Sequence, residues 1–164
     1  MAKKFIILDT ETTGLEVRQG HKIIEIGAVV LNDRKKSSDH FHAYINPGRL
    51  IDEEASKVHG ITNQDLENEP MFAAIADDFI EFIQGSTLII HNAPFDVGFL
   101  NSELKAVSAK YPKLEDICEI EDSLVIARSK FPGQRNSLDA LANRFEVSGY
   151  DRSFHGALLD ANIL

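Results

Sequence analysis

The sequence predicts a single α/β domain: a mixed sheet, its first three strands antiparallel, flanked by helices. Three observations lead there. Apolar extended stretches at 3–9, 21–32 and 39–46 are joined by connections too short for a crossover. At 70–83 the apolar residues change to a helical period. From there on, helical and extended patterns alternate, as in a layered α/β domain.

Taken in order, "KKFIILD" reads as a buried strand, "HKIIEIGAVVLN", rich in Ile and Val, as a second, and the alternating "DHFHAYIN" as a third. Polar "NDRKKSS" separates the second and third. "PMFAAIADDFIEFI" places Phe72, Ile75, Phe79 and Phe82 on one helical stripe. "STLIIHN" is a short apolar strand bounded by Gly85 and Pro94, and "APFDVGFLNSELKAV" is a helix with Pro94 suited to its first position. "SLDALANRF" is helical with Ser137 as cap, and "SFHGALLDANIL" is a last helix that simply stops. Because nothing ends that helix, the expectation is a domain cut from a longer chain.

The bulk numbers agree with one compact domain. The chain has 164 residues, 43% hydrophobic and 26% charged, enough for a core of its own. No apolar run approaches membrane-spanning length. "MAKKFIILD" is too short in its apolar part, and interrupted by Asp9, to be a signal peptide. The lone Cys118 excludes an internal disulfide framework or a multi-cysteine zinc site, and suits a cytoplasmic location. The net charge of −9 argues against a protein that coats nucleic acid non-specifically. It leaves room for a nucleic-acid enzyme, because metal-binding carboxylates count as negative until the cation arrives.

Chemistry concentrates in three places. In "ILDTETTG", Asp9 and Glu11 are two apart, so a strand projects both carboxylates to one face and Thr10 and Thr12 to the other. Like charges that close repel and lose hydration, and something positive must offset them. In "IIHNAPFD", a strand, a polar turn and Asp96 in the first turn of a helix follow one another. In "HGALLD", His155 and Asp160 stand five residues apart, roughly 140° around a helix. His155 therefore belongs at or before the helix start, beside Gly156, with Asp160 pointing inward from the second turn. Each piece alone has a structural explanation: Asp9 ends a strand, Asp96 offsets a helix dipole by about 0.3–1 kcal/mol, His91 and Asn92 close a turn, and His155 caps a helix. Together, four acids beside apolar residues form a hard-oxygen set suited to Mg²⁺ or Mn²⁺. A histidine near neutral pKa is suited to take a proton from an attacking water.

"DTETTG", "HNAPFD" and "HGALLDA", in that order, resemble the three exonuclease motifs of the histidine branch of the DEDD superfamily. "GHKIIEIGAV", "VHGIT" and "FPGQRNSLDALA" are similar to a narrower family, the proofreading epsilon subunits of bacterial DNA polymerase III. The resemblance implies an RNase H-like exonuclease fold over residues 1–164 and metal-dependent 3′→5′ exonuclease action on DNA that releases nucleoside 5′-monophosphates. It implies that Asp9, Glu11, Asp96 and Asp160 bind two divalent ions, with Asp9 bridging them, and that His155 is the general base. Thr12, Thr13, His59, Asn92 and Phe95 would contact the terminal nucleotide. Without the family, His59 reads as a turn residue before Gly60, and Phe95 reads as core with Phe99 one turn on. The substrate would be a single-stranded or frayed 3′ end, reached more often by a mismatched terminus. The polymerase catalytic subunit would be bound through a C-terminal tail that this chain lacks; a sliding clamp would also be met there, and a small theta-type partner is left open. The rivals are a 3′→5′ exoribonuclease of the same superfamily and a non-catalytic module that braces a polymerase. A small-molecule phosphohydrolase lacks support, because the chain has no Gly-rich phosphate loop.

Overall fold

The computed structural model describes residues 4–32 and 35–132. The expected helices at 137–145 and 153–164 lie outside the described residues. In chain order the elements are β1 (Phe5–Thr12), β2 (Ile23–Asn32), β3 (Lys35–Tyr44), α1 (Glu53–His59), α2 (Asn63–Leu66), α3 (Phe72–Ile83), β4 (Thr87–Ile90), α4 (Ala93–Val107), α5 (Leu114–Ile117), β5 (Glu119–Asp122) and α6 (Ser123–Lys130).

Among the described residues these strands make a five-stranded sheet in the order β3-β2-β1-β4-β5. β1–β2 and β2–β3 are antiparallel, and β4 and β5 add parallel to β1. The mixed sheet and its antiparallel first half are as the sequence predicts. β1 is central, and its alternation sorts two environments. Ile6 and Leu8 are fully buried in the main core with Phe79 of α3 and with Phe99 and Leu100 of α4. Ile7 belongs to a smaller cluster with Val29, Leu31 and Ile89 on the opposite face, and Asp9 and Glu11 continue that face.

Several boundaries differ from the sequence reading. β1 runs three residues beyond Asp9, because Asp9 through Thr12 still pair with β2. β3 begins at Lys35, so the strand takes in part of the polar connection and ends at Tyr44. β4 stops at Ile90, leaving His91 and Asn92 in the turn. The buried face of α3 is Phe72, Ala76, Phe79 and Ile83; Ile75 and Phe82 are half-buried at its flanks, since a stripe drawn through large residues passes over small Ala76. α4 spans 93–107 as read from the sequence. α1, α2, α5, β5 and α6 were not anticipated.

Candidate active site

β1 delivers the first two acids at the centre of the sheet. Asp9 stands opposite Gly27 and Glu11 opposite Glu25, and the register shifts between Glu11 and Thr12. The irregularity releases the strand end from regular pairing just where it must leave the sheet. The residue directly opposite Asp9 on β2 is a glycine, which adds no side chain there.

The third acid arrives from the neighbouring parallel strand. β4 ends at Ile90, and Asn92 takes a left-handed conformation (φ 67°) as N-cap of α4. Asn tolerates that region better than most residues, and it lets the chain turn at once into the helix. The Asn92 N–H is held by Asp122 Oδ1 at 2.9 Å, and Asp96 follows in the first turn of α4. Asp96 is 3% exposed. Its Oδ1 accepts the Thr10 hydroxyl at 2.7 Å, so β1 and α4 are joined through the carboxylate itself.

Burial pushes Asp96 up to about 7; the Thr10 hydroxyl opposes this and the charge of Asp122 adds to it. Asp9 lies well above its ordinary value, first from burial and then from the charges of Asp96 and Glu11. The two carboxyls titrate as a pair. Ionising either one raises the cost of ionising the other. Neither has a cationic partner among the described residues. A half-buried and a buried carboxyl with no counter-charge among the described residues, presenting only oxygen ligands, fit a hard divalent cation. Among the described residues no three His, Cys, Asp or Glu side chains gather closely enough to hold a metal alone. Asp160 and His155 lie outside the described residues.

Beside the acids opens a pocket of about 570 Å³, lined among others by Glu11, Thr12, Leu15, Val58, His59 and Phe95. Leu15 and Val58 are exposed at 81% and 44%, so the pocket offers apolar surface to a ligand. The Phe95 ring lies 4.9 Å from that of Phe99, and Phe95 is both a core flank and a pocket wall. His59 is the last residue of α1, which closes on Gly60 at φ 71°. His59 Nδ1 accepts the Ile61 N–H at 3.0 Å. Nε2 therefore carries the hydrogen and donates to the Thr12 carbonyl, 3.2 Å away. This bond ties α1 to the end of β1.

Of the described site residues expected from sequence, the structure gathers Asp9 with Asp96, and Glu11, Thr12, His59 and Phe95 around the pocket. Thr13 is fully buried and does not line it; its groups bond Lys22, His21 and Asp52. Asn92 is exposed at the head of α4 and is also absent from the lining. Three residues near the site were missed. Asp122 caps α6, accepting from Leu124 N at 2.9 Å, and an Asp before "SLVIARSK" is a recognisable helix start. His21 and Asp52 lie in the pocket wall, and no local pattern links them.

A central sheet that projects acids from β1 and α4 beside a pocket defines a class. The family model for Exonuclease (RNase_T) matches residues 6–164. DNA polymerase III subunit epsilon of Escherichia coli (strain K12) is 50% identical over 163 residues, covering 97% of this chain and 67% of that one. The same subunit of Rickettsia typhi is 54% identical over 159 residues, covering 97% and 69%. Among solved structures, Exonuclease X in complex with 5′ overhanging duplex DNA is similar at a TM-score of 0.74 and 26% identity, over 97% of this chain and 85% of that one. E. coli Exonuclease I in complex with a dA16 oligonucleotide shares the fold, at a TM-score of 0.80 and 17% identity over 98% of this chain and 39% of that one. The mixed sheet flanked by helices is thus the RNase H-like exonuclease fold. The chain belongs to the exonuclease family and, within it, to the DNA polymerase III epsilon subunits. It spans about two thirds of the length of those relatives. Among the described residues no helix is long and apolar enough to cross a membrane.

Proposed function

We propose that this domain is the 3′→5′ proofreading exonuclease of a replicative DNA polymerase, hydrolysing the terminal phosphodiester of DNA with two divalent cations, Mg²⁺ or Mn²⁺. The observation that carries the reading is the convergence of half-buried Asp9 and buried Asp96, both lacking a described counter-charge, beside a pocket with exposed apolar walls.

Asp9, Glu11, Asp96 and Asp160 would hold the cations. When bound, such a pair activates the attacking water and stabilises the departing 3′ oxygen. Everything else falls to the chain's own groups. The terminal base rests against the apolar wall of Leu15, Val58 and Phe95, which excludes water and reads no particular base. His59, its tautomer fixed by Ile61 and Thr12, borders that space. Thr12 closes the pocket at the strand end, and Asn92 fixes the turn from which α4 projects Phe95 and Asp96. Thr13 acts through its neighbours, since it is buried. His155 takes the proton of the attacking water, whose oxygen bonds the phosphorus as the 3′ oxygen leaves. The product is a nucleoside 5′-monophosphate, small enough for the pocket. A mismatched terminus unpairs at lower cost and enters more often. Polymerase III supplies much of the duplex grip, consistent with a charge of −9. A tail beyond residue 164 would carry the polymerase contact and a clamp contact.

The test is degradation of a 5′-labelled DNA primer with Mg²⁺ or Mn²⁺, beside EDTA and His155→Ala. A ladder shortening from the 3′ end, abolished by EDTA and by the variant, is expected, with faster loss of a mismatched terminus. A folded, metal-supplied protein that leaves the primer intact overturns the reading; faster turnover of a matched RNA would move it to an exoribonuclease.

A further inference from the structure

His21 has no part in the chemistry just described, yet it is buried at the wall of the pocket. Its Nδ1 lies 2.9 Å from Thr13 Oγ1, and its Nε2 lies 3.3 Å from Asp52 Oδ2. The Asp52 N–H in turn donates to the Thr13 carbonyl at 2.9 Å. Thr13, His21 and Asp52 therefore close a ring of three contacts. Lys22 N–H also donates to Thr13 Oγ1, at 3.0 Å, which leaves the hydroxyl hydrogen free to point at Nδ1. The hydrogen on Nε2 then goes to Asp52.

The ring joins the two sides of the pocket. Thr13 follows β1 directly and precedes the turn that carries Gly14 and Leu15. Asp52 is the N-cap residue of α1, the helix that carries Val58 and His59. The His21 imidazole lies so close to Gly14 that a Cβ there would overlap the ring. Gly14 is needed for this close approach, and its carbonyl accepts the Thr12 hydroxyl at 2.6 Å. A second tie, from His59 to the Thr12 carbonyl, crosses the same gap at the far end of α1. The helix is thus fastened to the strand end near both its termini.

We propose that His21 is a positioning residue for the terminal-nucleotide pocket: wedged against Gly14 and bonded between Thr13 and Asp52, it sets the gap between the Thr12–Leu15 turn and the Val58–His59 end of α1. This deepens the exonuclease reading and rests on it. His21 touches no reacting atom. Removing it should loosen the grip on the terminal nucleotide while leaving Asp9 and Asp96, fixed by β1 and α4, in place.

The experiment compares wild type, His21→Ala, Asp52→Asn, Gly14→Ala and the Gly14→Ala/His21→Ala double variant. It measures kcat and KM on a single-stranded 5′-labelled primer, and melting temperature in EDTA. In His21→Ala, KM should rise about tenfold and kcat fall less than about threefold, as expected when ground-state binding is lost more than the chemical step. Asp52→Asn, of nearly the same shape, should raise KM by a smaller factor. Gly14→Ala should lower the melting temperature in the wild-type background and have little further effect once the imidazole is gone, because the clash partner is absent. A wild type with no turnover sinks the exonuclease reading. An active wild type whose KM is unchanged in His21→Ala sinks this inference instead. Should His21→Ala fail to fold, an unchanged KM in Asp52→Asn does the same, and so does a Gly14→Ala penalty that persists without the imidazole.

Discussion

Two neighbouring regions of the site are built on opposite principles. Around the pocket, polar groups are paired: Thr13, His21 and Asp52 close on one another, and His59 spends both ring nitrogens on backbone groups. At the acid pair, a short distance along β1, a half-buried and a buried carboxyl have no described counter-charge and are pushed far above their ordinary values. Satisfied hydrogen bonds make the first region rigid before anything binds. The second keeps an unrelieved repulsion between its carboxyls. A surface that must accept any base benefits from fixed walls. Ligands for an exchangeable ion benefit from a standing electrostatic demand.

The largest expected difference between the regions is in turnover. Asp96→Asn removes a carboxylate charge without changing shape and should lower kcat by on the order of 10³-fold, comparable to removing a principal electrostatic group. KM should change far less. His59→Gln, on the pocket side, should act mainly on KM. Steady-state kinetics on a labelled primer checks both; a common loss of kcat alone would erase the distinction.

Stability should separate the regions with opposite signs. Asp9→Asn relieves repulsion in the metal-free protein and should raise its melting temperature by several degrees, given about 2–4 °C per kcal/mol for a chain of this size. Thr13→Val breaks a satisfied network and should lower it. Adding Mg²⁺ should raise the melting temperature of wild type and leave Asp9→Asn nearly unmoved. A metal-free Asp9→Asn that melts below wild type contradicts the repulsion account.

The pH dependence follows from the same carboxyls. The folded-state value of Asp96, about 7, lies above its ordinary 3.8. Between those values the folded chain keeps a proton that the unfolded chain has released, so stability falls as pH rises. In EDTA the protein should melt higher at about pH 5 than at about pH 8, with the loss accumulating up to about 7 and levelling off above it. Saturating Mg²⁺ should flatten or reverse the trend, because cation binding favours the ionised form. A melting temperature that rises across this range without metal would place the carboxyls in a more hydrated setting than the structure gives them.

The sequence disclosed the acid region better than the pocket. Asp9 and Glu11 interrupt an apolar strand at a spacing of two, and Pro94 marks the start of the helix that carries Asp96; such signals are local. The antiparallel first half of the sheet was legible for the same reason, from short connections. α1 was not, because its apolar positions are few and Val58 points outward. β5, "EIED", is four residues long and mostly acidic, so it forms a strand only because β4 pairs with it. The ring through Thr13, His21 and Asp52 joins residues far apart in sequence, none unusual by itself. Thr13, expected near the nucleotide partly through its backbone, has its side chain buried in that ring. Demand for charge leaves a mark in sequence, whereas mutual satisfaction appears only once the chain has folded.

Thr10 belongs to both regions. It lines the pocket, and its hydroxyl is the one group described above that eases the ionisation of Asp96. Thr10→Val keeps the branched shape, so the pocket wall should hold and KM should stay near wild type. Loss of a hydrogen bond to a charged group, about 1.5–3 kcal/mol at full strength, should move the metal-free midpoint of Asp96 above about 7. The pH at which the stability loss in EDTA levels off should rise with it. At neutral pH more of the carboxyl would then be protonated, and Mg²⁺ should stabilise the variant less than it stabilises wild type at equal concentration. The readout is a set of melting curves across pH, with and without Mg²⁺. If that levelling-off moves to lower pH instead, the hydroxyl is not what supports the charge, and the two regions are independent.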